Sequence, residues 1–225
     1  RTSSSAASDV YKRQVTVLNV AMFGSNELAK SIAKATDQRD VHTYVHKEYQ
    51  DEVAKIISII RPARYPERLR PLLNAISAGR VGIIEVNSVD ATLGEVLVAF
   101  SSSSINVGLV VINPPNGEWI DEEIVKKMFA QAGLSKWKFI PNDGVEIRNV
   151  LYQLMEEIEQ ELVDSAASQL VVSIDQYFNV KGIGLVAIGY VQSGTINVHD
   201  ELHILPAKAS GNTKSLQVMD DDVKQ

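Results

Sequence analysis

The sequence predicts an α/β fold with a mainly parallel sheet and flanking helices, followed by a small antiparallel β-barrel. Apolar segments with strand character alternate with amphipathic helical segments over residues 15–163, an order typical of parallel sheets covered by helices. After residue 168 the hydrophobic pattern changes from a helical period to alternation. Turn residues then recur at short intervals over 174–206, which is typical of the short strands of a barrel.

The elements of the first part follow from the spacing of their apolar residues. Residues 15–23 (VTVLNVAMF) have the apolar character of a buried strand. In 67–78, apolar residues from Leu69 to Ile76 recur at the i, i+3, i+4 and i+7 spacing of an amphipathic helix. The predicted strands are 15–23, 41–45, 53–60, 81–86, 107–112 and 137–140, and the predicted helices are 28–35, 67–78, 92–100, 121–132 and 145–163.

The second part is predicted from its turns. Residues 193–194 (SG) have the composition of a two-residue hairpin turn, because glycine tolerates the positive φ that such turns need. We therefore expect a strand at 183–191, a returning strand at 195–198 and a further strand at 201–205.

Composition and charge exclude several classes of function. The chain has 225 residues, a formal net charge of −6 and no cysteine, so it contains no disulfide framework and no thiolate metal site. The negative charge argues against a general attraction to DNA or RNA, and any contact with nucleic acid has to be local. No apolar run reaches the length that spans a bilayer, and the four histidines lack the spacing of a metal site. We expect a cytoplasmic protein without membrane or DNA partners.

A possible phosphate-binding loop lies between the first strand and the first helix, at 24–31 (GSNELAKS). It fits the pattern GxxxxGK[ST] at Gly24, Lys30 and Ser31, whereas Ala29 replaces the second glycine. In such a loop backbone N–H groups surround the phosphates, the lysine neutralises their charge and the hydroxyl holds Mg²⁺. The added Cβ of Ala29 would crowd the approach to a phosphate.

The same residues permit a second interpretation, the capped start of an ordinary helix. Ser25 or Asn26 would then be the N-cap, and Lys30 would lie in solvent. Glu27 would lie near the positive end of the helix dipole and would itself repel a phosphate. Both interpretations remain open from the sequence.

Three segments of the second part carry a specific likeness: 178–184 (FNVKGIG), 189–194 (GYVQSG) and 198–206 (VHDELHILP). In this order they resemble the second domain of the translational GTPases, a group that includes elongation factor Tu and the selenocysteine-specific factor. The resemblance covers residues 170–223 and implies a barrel that contacts the small ribosomal subunit and the acceptor end of aminoacyl-tRNA. It also implies a preceding P-loop GTPase-like domain, and residues 61–69 look similar to degenerate, archaeal-type members of the group.

Several motifs depart from the family pattern. The family carries Asp-x-x-Gly after its third strand, where this chain has Arg61 at the aspartate, Arg64 at the glycine and Tyr65 at the following catalytic histidine. The guanine-reading motif Asn-Lys-x-Asp is reduced to Asn113 and Asn116 around two prolines. No carboxylate remains there to hold Mg²⁺ and no imidazole to position water. We therefore predict no catalytic residue and no metal site.

Two sets of candidate binding residues follow. Any bound GTP or GDP would use the residues that match the family's nucleotide motifs: Gly24, Ala29, Lys30, Ser31, Asn113 and Asn116. Contacts with phosphate or RNA are expected at basic residues near strand ends and turns: Arg61, Arg64, Arg68 and Lys181. The alternative for the arginines is a solvated helix face balanced by acids such as Glu67.

The expected organisation is a non-native or disordered leader at 1–14, a degenerate G-like domain at 15–164 and an incomplete barrel domain at 165–225. The expected function is that of a translation elongation factor-like pseudo-GTPase, which binds the ribosome and/or tRNA without efficient GTP hydrolysis. Two alternatives remain: a divergent GTP-binding translational GTPase, and a nucleotide-independent scaffold.

Overall fold

The structure is a computed structural model that describes residues 15–39, 41–50, 53–116, 118–165, 167–218 and 221–223. The leader expected at 1–14 lies outside these residues. The strands of the first part are β1 (Val15–Phe23), β2 (Lys34–Gln38), β3 (Val41–Gln50), β4 (Val53–Pro62), β5 (Val81–Val86), β6 (Gly108–Ile112) and β7 (Lys138–Phe139). The helices are α1 (Asn26–Ile32), α2 (Arg70–Ala78), α3 (Ala91–Ser101), α4 (Glu122–Gln131) and α5 (Gly144–Ser165).

The seven strands form one sheet in the order β2-β3-β4-β1-β5-β6-β7. Strands β4, β1, β5, β6 and β7 are parallel, whereas β3 pairs antiparallel with β4, and β2 with β3. The predicted α/β class with a mainly parallel sheet is confirmed. Because parallel strands end at the same edge, the loops after β1, β4, β5 and β6 meet where such sheets bind ligands.

The core lies on both faces of this sheet. One face packs against α1 and α5, and the other against α2, α3 and α4. Every residue of β5 is buried, which explains why the strand contains only apolar residues and glycine apart from Glu85. The ring of Trp137 covers Gly82 and Gly108, where added Cβ atoms would lie 2.8 Å from Cζ2 and 2.6 Å from Cδ2 of that ring. The two glycines are therefore needed for the indole to pack on the sheet.

Three predicted boundaries are wrong for local physical reasons. The first helix begins at Asn26 and ends at Ile32, because Ala33 is already extended and leads into the edge strand β2. The strand predicted at 41–45 continues to Gln50 and forms a hairpin with β4. The helix predicted at 67–78 begins only at Arg70, since its proline occupies a first-turn position where no N–H is required.

The second part consists of short antiparallel strands. They are β8 (Val171–Val180), β9 (Gly184–Ser193), β10 (Glu201–Ile204), β11 (Ala209–Asn212), β12 (Leu216–Val218) and β13 (Asp221–Val223). Within the described residues they form three two-stranded sheets, β8-β9, β10-β11 and β12-β13. Gly182 has a φ of +88° in the turn between β8 and β9, a conformation that favours glycine.

The strand predicted at 195–198 is absent, although this segment is described. Gly194 does have a positive φ of 69°, but an added Cβ there would lie 2.6 Å from the carbonyl oxygen of Ser168, so the chain turns against an earlier segment. His199 and Asp200 instead form backbone hydrogen bonds with Thr213 of 2.7 and 2.9 Å. These bonds continue the β10-β11 pair by two residues on one strand and one on the other.

The two parts meet where the end of α2 contacts β9. Arg80 Nη2 donates to the carbonyl oxygens of Val191, at 2.8 Å, and Gln192. Gln192 Nε2 donates in return to the carbonyl oxygen of Ser77 at 2.5 Å. Tyr190 packs against the small apolar cluster formed by β4 and α2. The junction therefore combines apolar packing with hydrogen bonds to backbone carbonyls.

Candidate nucleotide and RNA sites

At the carboxyl edge of the sheet, polar groups from four neighbouring strands and their loops bind one another. Arg61 Nε, at the end of β4, donates to the carbonyl oxygen of Gly24 at 2.5 Å. Asn113 Nδ2, after β6, donates to Glu85 Oε1 at 2.6 Å. The backbone N–H of Ser25, after β1, donates to Glu85 Oε2. The edge where a P-loop protein would bind phosphate thus holds a hydrogen-bonded set of the chain's own groups.

Glu85 is the centre of this set. It lies on β5 and is only 2% exposed, and each of its carboxyl oxygens accepts a hydrogen bond. A buried carboxylate is strongly unfavourable unless it is paired or hydrogen-bonded in this way. An added Cβ on Gly24 would lie 2.9 Å from Glu85 Oε2, so the glycine permits the approach of the carboxylate. No sequence signal marks Glu85, because it sits inside an apolar strand and its partners are distant in the chain.

Helix α1 begins too early for an open phosphate loop. Ser25 is its N-cap, and its Oγ accepts from the N–H of Leu28 at 3.1 Å. The N–H of Ala29, whose side chain is fully buried, donates to the carbonyl oxygen of Ser25. Asn26 Oδ1 accepts from the hydroxyl of Tyr44, a buried residue of β3, at 2.6 Å. The structure therefore has the capped helix start, and N–H groups that would surround a phosphate are used within the helix.

Lys30 and Ser31 lie on the surface of α1. The Oγ of Ser31 donates back to the carbonyl oxygen of Leu28 at 2.7 Å. The carbonyl oxygens of Ser31 and Ile32 accept from Arg148 Nη1 of α5. The hydroxyl of Ser31, which would hold Mg²⁺ in a phosphate-binding loop, is thus hydrogen-bonded within its own helix.

The two asparagines at the guanine-reading position differ in burial and in their hydrogen bonds. Asn113 is half-buried and its amide binds Glu85, while its N–H donates to the carbonyl oxygen of Val86 at 3.0 Å. Asn116 is exposed in a turn beyond two prolines. The geometry brings Asn113 to Glu85, the carboxylate that also binds the N–H of Ser25, and leaves Asn116 exposed.

The loop after β4 leads to a partly open surface cavity of about 360 Å³. Arg64 and Arg68, two of the residues predicted to contact RNA, line it, and so does Arg39, between β2 and β3. Arg61 points instead to Gly24, and Lys181 lies in the turn between β8 and β9. No sequence spacing indicates Arg39, because it joins the cavity only through the edge hairpin formed by β2 and β3.

Tyr65, which stands at the position of the family's catalytic histidine, is held by helix α3. Its hydroxyl donates to Glu95 Oε2 at 3.0 Å, and its ring meets Phe23 edge-on at 5.7 Å between centroids. Burial, together with the neighbouring carboxylate, raises the pKa of Tyr65 to about 12. This phenol is therefore a neutral structural contact near neutral pH.

Within the described ranges, no group of three or more histidine, aspartate or glutamate side chains is placed to hold a metal ion. No helix in that part of the chain combines the length and apolar character needed to cross a bilayer.

Comparison with known sequences gives two relatives in one organism, and no protein-family model matches the chain. An uncharacterized protein of Methanocaldococcus jannaschii is 29% identical over 209 residues, which is 92% of this chain and 63% of that protein. The selenocysteine-specific elongation factor of the same organism is 35% identical over 78 residues, which is 35% of this chain and 15% of the factor. The chain thus spans less than two thirds of the length of either relative.

Similar solved structures cover nearly the whole chain. A bacterial selenocysteine-specific elongation factor, EF-Sec, matches with a TM-score of 0.66 and 17% identity, over 94% of this chain and 40% of that chain. Elongation factor SelB from Methanococcus maripaludis, in complex with the GTP analogue GppNHp, matches with a TM-score of 0.62 and 19% identity, over 94% of this chain and 49% of that chain. The chain therefore shares the fold of the part of elongation factor SelB that it covers.

Proposed function

We propose that this protein is a translation elongation factor-like protein that binds the ribosome or tRNA without efficient GTP hydrolysis. The fold of SelB and the local identity to a selenocysteine-specific factor support the translational role. In this proposal residues 15–164 are a degenerate G-like domain, residues 165–225 are the barrel-like RNA-contacting part, and the protein works in the cytoplasm with the ribosome.

One observation carries the loss of GTPase activity: the buried carboxylate of Glu85 binds the N–H of Ser25 at the start of α1. A phosphate at that N–H would have to displace the carboxylate or lie beside it. Two unit charges about 4 Å apart repel by about 4 kcal/mol at an effective dielectric constant of 20. That energy corresponds to a loss of affinity of about a thousandfold. Lys30 is exposed on the helix, where it is poorly placed to offset this repulsion.

Hydrolysis would need further groups that the loop after β4 lacks. Arg61 and Tyr65 stand where the family has its Mg²⁺-reaching aspartate and its catalytic histidine, and both are engaged in contacts with the chain itself. Neither side chain holds Mg²⁺ or positions water. Nucleotide binding by Gly24, Lys30, Ser31, Asn113 and Asn116 would thus be weak and without turnover.

The decisive experiment is titration of the protein with fluorescent GDP and GTP, with and without Mg²⁺. We expect no saturable binding at micromolar nucleotide. Saturable, Mg²⁺-dependent binding that Lys30→Ala abolishes, and that the exposed control Lys34→Ala leaves intact, would support a divergent GTPase instead. Steady release of inorganic phosphate from GTP would overturn the proposal outright.

Co-sedimentation with ribosomes tests the other half of the proposal. We expect the protein to pellet with ribosomes, or to bind tRNA, in a manner that weakens as salt is raised. Absence of both interactions at low salt would favour the nucleotide-independent scaffold.

A further inference from the structure

Three arginines line the cavity beside the loop after β4. Its six described lining residues share a polar or small character and none of them is acidic: Gln38, Arg39, Ala63, Arg64, Arg68 and Pro71. Three guanidinium-bearing residues therefore line about 360 Å³ of surface space on a chain whose net charge is −6. Because Arg39 is paired with Asp37, the uncompensated positive charge at the cavity comes from Arg64 and Arg68, and it attracts anions locally despite the net negative charge of the chain.

Arg39 is held in place at this cavity. Its Nε and Nη2 donate to Asp37 Oδ2 at 2.8 and 2.5 Å, and its Nη1 donates to Gln176 Oε1 of β8 at 3.0 Å. A guanidinium group has five N–H donors, and these three bonds leave one N–H on each terminal nitrogen. Arg39 is thus positioned by both parts of the chain and retains donors for a ligand.

Arg64 and Arg68 supply the other donors. The N–H of Arg68 donates to the carbonyl oxygen of Arg64 at 2.8 Å, which closes a turn that places both residues at the cavity. Both are exposed, and neither guanidinium group forms an ion pair or hydrogen bond with a described residue. Arg64 has a φ of +58°, a backbone conformation that glycine adopts at lower cost.

We propose that this three-arginine cavity binds phosphate groups of an RNA backbone. Planar guanidinium groups match phosphate oxygens through paired N–H donors, and the partly open cavity admits a phosphate of a continuous strand. This inference rests on the proposed translational function, because it names the part of the surface that would hold the RNA. It assigns RNA binding to Arg64 and Arg68, which line the cavity, and not to Arg61, which donates to the carbonyl oxygen of Gly24.

The test compares the full chain with the double variant Arg64→Gln/Arg68→Gln in binding to labelled tRNA and to protein-free ribosomal RNA. The matched control is Lys136→Gln/Lys138→Gln, which removes the same charge from exposed residues around β7. We expect the arginine variant to bind at least tenfold more weakly at low salt. Its slope of log affinity against log salt should fall by about 0.7–0.9 for each phosphate that it no longer neutralises. The lysine control should match the wild type.

A second variant tests whether weaker RNA binding could result from a folding defect. Arg64→Gly removes the side chain and suits the positive φ, so it should fold at least as well as the wild type in a thermal melt followed by circular dichroism. It should weaken RNA binding in the same direction as the double variant.

The possible outcomes separate this inference from the proposed function. Equal RNA binding by the wild type and both arginine variants would contradict RNA binding at the cavity and leave the proposed translational role intact. If the wild type binds neither RNA, the inference also fails, while ribosome co-sedimentation decides the function separately. If calorimetry with inorganic phosphate shows binding that the arginines control, but RNA binding is unchanged, the ligand is a free phosphate and the RNA assignment is wrong. Arginine-dependent binding to ribosomes without binding to their protein-free RNA would indicate a ribosomal protein and would also overturn it.

Discussion

Replacement of Glu85 by glutamine tests whether the carboxylate organises the edge of the sheet. The two side chains have nearly the same shape, but glutamine offers one acceptor oxygen where the carboxylate offers two. Ser25 N–H and Asn113 Nδ2 both donate to Glu85, so one of these donors would face the new NH₂ group. The variant therefore loses one charge-assisted hydrogen bond and leaves a donor unpaired in a site that is 2% exposed.

The expected magnitude follows from these two losses. A hydrogen bond to a charged group contributes about 1.5–3 kcal/mol, and an unsatisfied buried donor costs about 1–3 kcal/mol, with overlap between the two effects. We expect Glu85→Gln to lower the free energy of unfolding by about 2–4 kcal/mol. With a urea dependence of about 2 kcal/mol per molar, the unfolding midpoint should fall by about 1–2 M.

The assay is urea unfolding followed by tryptophan fluorescence, since Trp137 is 4% exposed against the sheet and reports on its unfolding. The matched control is Glu118→Gln, which removes the same charge from an exposed position. The control should change stability by less than about 0.5 kcal/mol, as is usual for surface substitutions. A Glu85→Gln variant as stable as this control would refute the role given to the carboxylate.

Three further predictions concern packing, the junction and pH. Gly82→Ala should destabilise the protein by about 1–3 kcal/mol in thermal unfolding, because the new Cβ overlaps the ring of Trp137, whereas Gly94→Ala, with open space around it in α3, should stabilise it by about 0.5–1 kcal/mol. Arg80→Ala should lose the bonds to the β9 carbonyls and increase the rate of amide hydrogen exchange more in β8 and β9 than in β5. An equal increase in the three strands would contradict this prediction. The pKa of Tyr65 is raised to about 12 in the folded state from an ordinary value near 10. Its contribution is therefore fully present below about pH 10 and is lost as pH rises toward 12, so the stability difference between wild type and Tyr65→Phe should change across that window and stay constant at lower pH.

The central strands could be predicted from the sequence because burial alone determines them. Strands β1 and β5 match the predicted 15–23 and 81–86. Every residue of β5 is buried, and Leu18, Val20, Ala21 and Met22 of β1 are buried in the core. Strand β2 lies where the sequence predicts the end of a helix. Its residues alternate between exposed and half-buried, and its stability comes from pairing with β3, which no local pattern reveals.

The candidate site was predictable only where it follows the family motifs. Gly24 and Asn113 lie at the sheet edge as expected, because their positions follow from the strands before them. Glu85 could not be found, since one acidic residue in an apolar strand is visible as a site only when its distant donors are known. The place of Arg39 in the arginine cavity depends in the same way on a hairpin and on Gln176, 137 residues away.

Arg61, near the end of β4, donates a hydrogen bond to the carbonyl oxygen of Gly24, where the loop after β1 begins. A loop that acts as a switch must move between two positions of similar free energy, so that a small chemical change decides between them. Here the chain itself holds the loop against β4 through the bond from Arg61 to Gly24. If the protein acts without hydrolysing GTP, as proposed, we expect the loop after β1 to keep this position when the partner binds.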